Sequence, residues 1–327
     1  MRTGEKLLNL ATSHQVLQVI AVSVERGLFD ALLGAEVSAA ALARRTGCTS
    51  AALRRLCTVL EELGLVRTRG DCYHLTNTAR RYLCRTSPCS LVPFFLHQAS
   101  LLEPWSQLEF SLTHNTMAVL PRHRTAGHPQ QLRLYLEAMD CHGRLKAPQI
   151  FKLIGVRNHR MMLDLGGGIG TYAVAFARRN RKLRAVVVDL ADVIRHTKRY
   201  IRQHGCSDRV SAIARQCLDE SLPPGTFDLV LLSNILHIYA PEDCQRLLHK
   251  ASDALVQHGT LVVHDYLFGC GDPLAVALCD MTMLVGTPQG RCYRKRDLIA
   301  WMRAVGIHRI QTSAVAAGTS VVWGTKK

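Results

Sequence analysis

The twelve cysteines include no C-x-x-C pair, and no Cys/His spacing has the form that builds a zinc site. They read as reduced, mostly buried thiols, and no bound metal is expected. No uninterrupted apolar run reaches the roughly 18 residues that a spanning helix needs. The N-terminal stretch "VLQVIAVSV" lacks a clear cleavage site and continues into a charged amphipathic pattern, which argues against a signal peptide. A cytoplasmic protein with no membrane partner is the expectation. Aromatics make up only 6% of the chain. The basic segments "RRNRKLR" (178–184) and "RHTKRYIRQHG" (195–205) carry none beyond Tyr200. Despite a formal net charge of +16 they read as solvated helix faces or helix ends, and a nucleic-acid partner is disfavoured. Internal repeats and low-complexity segments are also lacking.

What is present is globular. The 327 residues are 48% hydrophobic and 20% charged, enough for one large domain or two ordinary ones. Residues 1–105 read as almost wholly helical with one short hairpin. In "SAAALARRTGCTSAALRRLCTVLEELGLV" (38–66), two helical periods break at Gly47–Cys48–Thr49. Ser38 can cap the first helix, Thr49 or Ser50 the second, and Gly64 ends it. "LVRTRGDCYHLTNTARRYL" follows, with Arg69–Gly70–Asp71 turning between two short strands. Helix, turn, helix and wing predict a winged helix. Residues 106–155 read as a helical connector with a loop around "PRHRTAGHP" (121–129).

From Met161 strands and helices alternate, and residues 156–327 form the third region. The strands "RMMLDL", "RAVVVDL", "RVSAIAR", "DLVLLSN" and "GTLVVHDYL" are continuous apolar runs, as in parallel sheets buried on both faces. "IHRIQTSAV" and "TSVVWGT" read as a closing antiparallel hairpin. The fold class predicted is α/β, a seven-stranded doubly wound Rossmann-like sheet behind an N-terminal helical winged-helix domain.

The first of these strands ends at Asp164 and runs into Gly166, Gly168 and Gly170 before a helix. Such a turn lets a ligand approach the backbone closely beside unpaired N–H groups. The dinucleotide fingerprint G-x-G-x-x-G fails, because its third position falls on Thr171 or Ala173. A pyrophosphate loop is therefore disfavoured. Asp189, ending the second strand, stands where an acid takes a ribose diol. Ribose without a required phosphate satisfies both observations.

D-x-G-x-G-x-G followed by an acid at the end of the next strand resembles the S-adenosylmethionine site of class I methyltransferases. "LDLGGGIG", "VVDLADVI", "FDLVLLSNILHIYAPEDCQRLLHKASDAL", "GTLVVHDYL" and "MTMLVGTPQGRCYRKRDLIAWMRAVGI" follow one another as in the caffeate/hydroxyindole (acetylserotonin) type of small-molecule O-methyltransferase. "GLFDAL", "YHLTNTARRYL" and "YLEAM" extend the resemblance over nearly the whole chain. It implies that Gly166, Gly168, Gly170, Asp189 and Leu190 hold the cofactor, that Asp164 ends the first strand of that site, and that Ser233 faces the methionine end. Met139 and Met283 would line the acceptor pocket, with His142 and Asp140 as polar contacts. The element that meets the adenine departs from the family pattern: "RQCLDESLP" offers Cys217 or Asp219.

His237 follows the strand "DLVLLSNIL", and Asp265 ends the next parallel strand. Adjacent parallel strands would bring them together as an imidazole base and its orienting carboxylate. Capping of the next helix, or packing beside Tyr239, is the competing reading of His237. The resemblance implies the catalytic one. It also implies that Cys292 replaces a second supporting glutamate. His264 should point to the opposite face of its strand and serve structure.

A winged helix with Arg54, Arg55, Arg67, Arg69, Arg80 and Arg81 admits a second class, a DNA-binding regulator sensing a small ligand. The helix over 49–63 is mainly apolar, unlike one that reads base edges. The resemblance instead implies a homodimer made through this domain. The expected activity is methyl transfer from S-adenosylmethionine to a hydroxyl of a small, aromatic acceptor. Transfer to carbon, nitrogen or sulfur, or a member that binds the cofactor without methylating, is the third alternative.

Overall fold

The computed structural model describes residues 3–119 and 128–327. Most of the expected loop at 121–129 lies outside the described residues. The chain divides into two compact units, 1–102 and 103–327, so the helical connector foreseen at 106–155 belongs within the second.

In the first unit, Ser38 accepts from Ala41 N–H and opens the helix Ala39–Thr46, which Gly47 closes at φ +66°. Thr49, rather than Ser50, accepts from Ala52 N–H and caps the helix Ser50–Glu62. Leu53, Cys57 and Leu60 of that helix are fully buried against Phe29, Leu42 and Val66. Strands β1 (Val37–Ser38), β2 (Val66–Arg69) and β3 (Cys72–Leu75) form one small sheet in the order β1, β3, β2. The two-residue β1 adds a third strand to the hairpin expected. Upstream lie the helices Thr3–Ala11 and Ser13–Glu25, on which Leu7, Leu8, Leu10, Val16 and Val22 are exposed. Within Leu7–Glu25 an 18-residue window has a mean hydropathy of 1.3, long and apolar enough by composition to cross a membrane. The run itself is not uninterrupted, since Asn9, Thr12, Ser13, His14, Gln15 and Gln18 break it.

The second unit is built on a seven-stranded sheet. Its strands are β4 (Met161–Leu165), β5 (Arg184–Asp189), β6 (Val210–Ala214), β7 (Phe227–Ser233), β8 (Leu255–Asp265), β11 (Ile307–Ala314) and β12 (Ser320–Lys326). The order across the sheet is β11, β12, β8, β7, β4, β5, β6. β4 to β8 are mutually parallel, and β12 runs antiparallel to both β8 and β11. Two-residue strands β9 (Leu267–Phe268) and β10 (Tyr293–Arg294) pair separately. Alternate residues feed two cores. Leu163, Leu165, Val230, Leu232, Leu261 and Val263 point to one side, and Met162, Leu229, Leu231 and Val262 to the other. Burial on both faces is the reason these strands are continuously apolar.

The chain winds outward from β4 to β5 and β6, then crosses back to place β7 on the other side of β4. The carboxyl ends of β4 and its neighbours therefore open a crevice at the point where the winding reverses, the place where open α/β sheets hold ligands.

Candidate active site

The glycine turn after β4 sits at that crevice. Gly166 and Gly168 adopt φ of +68° and +58°, and Gly170 at +85° precedes the helix Thr171–Arg179. The Gly166 N–H donates to Val188 O at 2.8 Å, which ties the turn to β5. A Cβ on Gly167 would lie 2.6 Å from Asp164 Cγ, so only glycine lets the turn fold over that carboxyl. Asp164 is fully buried, with neither oxygen in a close hydrogen bond among the described residues and Ala173 N–H as the backbone donor acting on it. Burial pushes its pKa up to about 7. A buried carboxyl without a close hydrogen bond is costly unless a ligand donor completes it.

A cavity of about 740 Å³ opens above the turn. Gly166, Gly168, Asp189, Leu190, Ser233 and Met139 all line it. Asp164 lies beneath it, and Gly170 serves as the cap of the following helix, away from the wall. Asp189 is held rigidly. Its Oδ2 accepts from Gly168 N–H at 2.8 Å and its Oδ1 from Leu190 N–H at 2.7 Å. Lone pairs remain on both oxygens for a diol. Of the two residues left open at 217–219, the buried Cys217 lines the cavity and Asp219 is exposed outside it. Arg195, expected on a solvated face, also reaches the cavity wall.

His264 faces away from Asp265, as the strand alternation requires, yet it serves this cavity. Its Nε2 lies 2.9 Å from Thr319 Oγ1, and Thr319 donates its proton to Ala316 O at 3.1 Å. Thr319 therefore accepts from Nε2–H, and the bare Nδ1 takes the proton of Ser233 at 2.8 Å. Burial drives the His264 pKa well down, with the charges of Lys146, His142 and His237 adding to it, so the ring stays neutral. Tyr172 OH lies 3.4 Å from the same Nδ1, and Ser233 lines the cavity wall. Asn234, next in the chain, holds a left-handed φ of +52° while lining the same wall. Backbone strain of this kind collects at functional sites.

β7 and β8 are neighbours, with Ser233 opposite His264. Their ends bring His237 and Asp265 into contact, as expected. His237 sits in the 3₁₀ turn Leu236–Ile238, and its Nδ1 makes a short hydrogen bond with Asp265 Oδ1. Asp265 also accepts from Tyr266 N–H at 2.8 Å and from His237 N–H at 3.4 Å. The carboxylate so fixed selects the tautomer that leaves Nε2 free. Burial lowers the His237 pKa, but the adjacent charge and hydrogen bond of Asp265 outweigh it and raise the value to about 9. The His237 carbonyl accepts from Arg291 N–H at 2.8 Å, and a Cβ on Gly290 would meet that carbonyl at 2.6 Å. His237 therefore packs under the 287–291 segment and is not the cap of the next helix, whose first turn starts at Pro241.

The helix Pro129–Leu153 brings Met139, His142 and Lys146 onto one face by their spacing of three and four residues. Its Asp140, expected as a polar contact to the acceptor, lines the cavity and also forms a structural clasp. The carboxylate accepts from Thr171 Oγ1 and Tyr200 OH, each at 2.8 Å, and pairs with Arg144 Nε at 2.9 Å. It joins three helices around the glycine turn. Met283 is half-buried on the helix Pro273–Gly286 and does not line the cavity. Cys292 is buried, its N–H donates to Asp280 Oδ1 at 2.7 Å, and its thiol meets that of Cys279.

The model of the O-methyltransferase domain matches residues 107–307, and that of the O-methyltransferase dimerisation domain matches residues 8–85. The 3-hydroxy-5-methyl-1-naphthoate 3-O-methyltransferase of Streptomyces sahachiroi is 28% identical, over 98% of this chain and 94% of its own. The 3-amino-4-hydroxybenzoate 4-O-methyltransferase of Streptomyces cremeus is 30% identical, over 88% and 80%. The crystal structure of human N-acetylserotonin methyltransferase in complex with S-adenosylmethionine has the same fold, with a TM-score of 0.88 at 20% identity over 100% of this chain and 98% of that one. With most of its length under one family description, and with a ribose-type cavity beside a histidine–carboxylate pair, the chain belongs to the O-methyltransferase family of S-adenosylmethionine-dependent enzymes.

Proposed function

We propose that this protein methylates a phenolic hydroxyl of a small aromatic acceptor and that His237 removes the hydroxyl proton. The observation that carries the reading is the His237–Asp265 pair at the carboxyl ends of β7 and β8, beside the cavity over the glycine turn. The acceptors in the names of the two Streptomyces relatives, a hydroxynaphthoate and an aminohydroxybenzoate, support the aromatic class.

S-adenosylmethionine, when bound, supplies a methyl group made electrophilic by its sulfonium. The residues present fit it. Asp189 accepts the ribose hydroxyls, and Gly166 and Gly168 give close backbone approach. Leu190 and Cys217 flank the adenine. The hydroxyl of Ser233 and the buried carboxyl of Asp164 suit the cationic methionine end. His237 Nε2 takes the acceptor proton while Asp265 holds the ring and stabilises the imidazolium. Met139, on the cavity wall, packs on the acceptor ring, with His142 beside it. Residues 106–155 contribute this part of the acceptor pocket, and 156–327 carry the cofactor.

Residues 1–105 act as the dimer handle rather than a DNA reader. Leu8 and Leu10 stand exposed within the segment that matches the dimerisation model, and Leu7 just before it. The apolar side of Ser50–Glu62 is spent on the core. Binding of S-adenosylmethionine is tested by calorimetry on the folded protein. Saturable heat is expected and should weaken sharply in Asp189→Ala, whereas no heat refutes the cofactor site.

A further inference from the structure

Lys146 is a charged residue that the chemistry above leaves without a task. Its side chain is fully buried, one helical turn beyond His142 on the face that begins at Met139. Its Nζ donates to His142 Nδ1 at 3.3 Å and lies 5.6 Å from the centre of the Tyr266 ring. Among the described residues it forms no ion pair. Burying an ammonium without a counter-charge is costly, and native structures keep such groups where a ligand completes them.

The neighbouring charges sharpen this. Asp265 is the carboxylate that acts on both Lys146 and His237. Its oxygens already serve His237 Nδ1, His237 N–H and Tyr266 N–H. Burial pulls the Lys146 pKa down to about 8, so the amine remains largely protonated at neutral pH. His264 is neutral, and the Cys279 thiol is the other group acting on Lys146. Two N–H bonds of the ammonium are left without an acceptor. The His237 ring stands edge-to-face to Tyr266, with centroids 6.4 Å apart. Lys146 and the base thus approach the same tyrosine ring, and the Lys146 charge acts on His237.

We propose that Lys146 is a specificity-determining residue that binds a carboxylate carried by the acceptor, so that the enzyme's acceptors are hydroxyarenecarboxylates rather than neutral phenols. The proposal rests on the reading of the site as a phenol O-methyltransferase. His237 engages the reacting hydroxyl, and the Lys146 ammonium pairs with the carboxylate and compensates its own burial.

The test compares hydroxynaphthoic and hydroxybenzoic acids with their methyl esters, in the wild type and in Lys146→Met and Lys146→Gln. The wild type should favour the acids in kcat/KM by about ten- to a hundredfold, the range of a hydrogen bond to a charged group. Both variants should lose most of that preference through a higher KM for the acids. Lys146→Met should melt no lower than the wild type, since an apolar isostere removes a buried charge. Calorimetric affinity for S-adenosylmethionine, read in parallel, reports whether the site is intact. A wild type that uses esters as well as acids overturns the proposal, as does an equal loss on both in folded variants that bind cofactor. Failure to methylate any hydroxyarene, with cofactor bound, instead overturns the phenol reading and the proposal with it.

Discussion

Replacing Asp265 with asparagine tests the proposed base through its pH dependence. The rise of the His237 pKa from 6.5 to about 9 corresponds to about 3.4 kcal/mol. Burial acts in the opposite direction, so the carboxylate contributes at least that much. In the wild type the free base therefore forms only as the pH climbs toward 9. With an acceptor whose hydroxyl stays protonated, log kcat/KM should rise with unit slope and level off near 9. An asparagine at 265 has one carbonyl oxygen, which at the Oδ1 position keeps Tyr266 N–H and His237 Nδ1, while its NH2 faces the His237 backbone N–H. The Nδ1 contact then survives, but the carboxylate charge that raised the ring pKa is gone. Without the opposing charge, burial leaves the ring pKa below 6.5, and the limb ending near 9 should vanish. The plateau should fall by about a hundredfold or more, the contribution of a positioned base. Stability follows the same linkage. A raised pKa adds stability that is fully present below about pH 6.5 and is lost as the pH rises through about 9. Stopped-time product assays by mass spectrometry across pH 6–10 read the profile. An Asp265→Asn enzyme that keeps a break near 9 would refute the assignment of that limb to His237.

Replacement of His237 by alanine should lower turnover by about a hundredfold or more while calorimetry shows unchanged cofactor affinity; an unchanged rate would mean that positioning alone suffices. In Gly167→Ala the new methyl meets Asp164 at 2.6 Å, and cofactor binding should weaken by at least tenfold, read by calorimetry. Asp140→Ala opens the clasp among Thr171, Tyr200 and Arg144 and should cost about 2–4 kcal/mol in denaturant titration of the whole chain. A loss below 0.5 kcal/mol would show that the clasp is redundant.

Local signals in the sequence read true where the physics is local. Ser38 and Thr49 cap their helices because a hydroxyl before an apolar period has one obvious donor to satisfy. The continuous strands and the closing hairpin were legible because burial on two faces leaves no polar alternation. The juxtaposition of His237 and Asp265 followed from strand order alone. Other features depend on tertiary neighbours that spacing does not reveal. Val37–Ser38 is too short a strand to carry a period. The clasp of Asp140 was hidden because nothing in its own helix betrays Thr171 and Tyr200 across the fold. His264 was correctly turned from Asp265, but its grip on Ser233 through the Thr319 proton chain needs the structure. Lys146 is the clearest case. A lysine in a polar helix reads as solvated, and only packing shows that it is enclosed. The signal that could have found it was its place at i+7 from Met139 and i+4 from His142, on the face already assigned to the acceptor.

The most direct measurement supplies S-adenosylmethionine bearing a deuterated methyl group together with a panel of hydroxynaphthoates and hydroxybenzoates. The products are then analysed by mass spectrometry and NMR. The account predicts one deuterated methyl on a ring oxygen, and loss of that product in His237→Ala. A deuterated methyl on carbon, nitrogen or sulfur, or no transfer from an enzyme that has bound the cofactor, would contradict it.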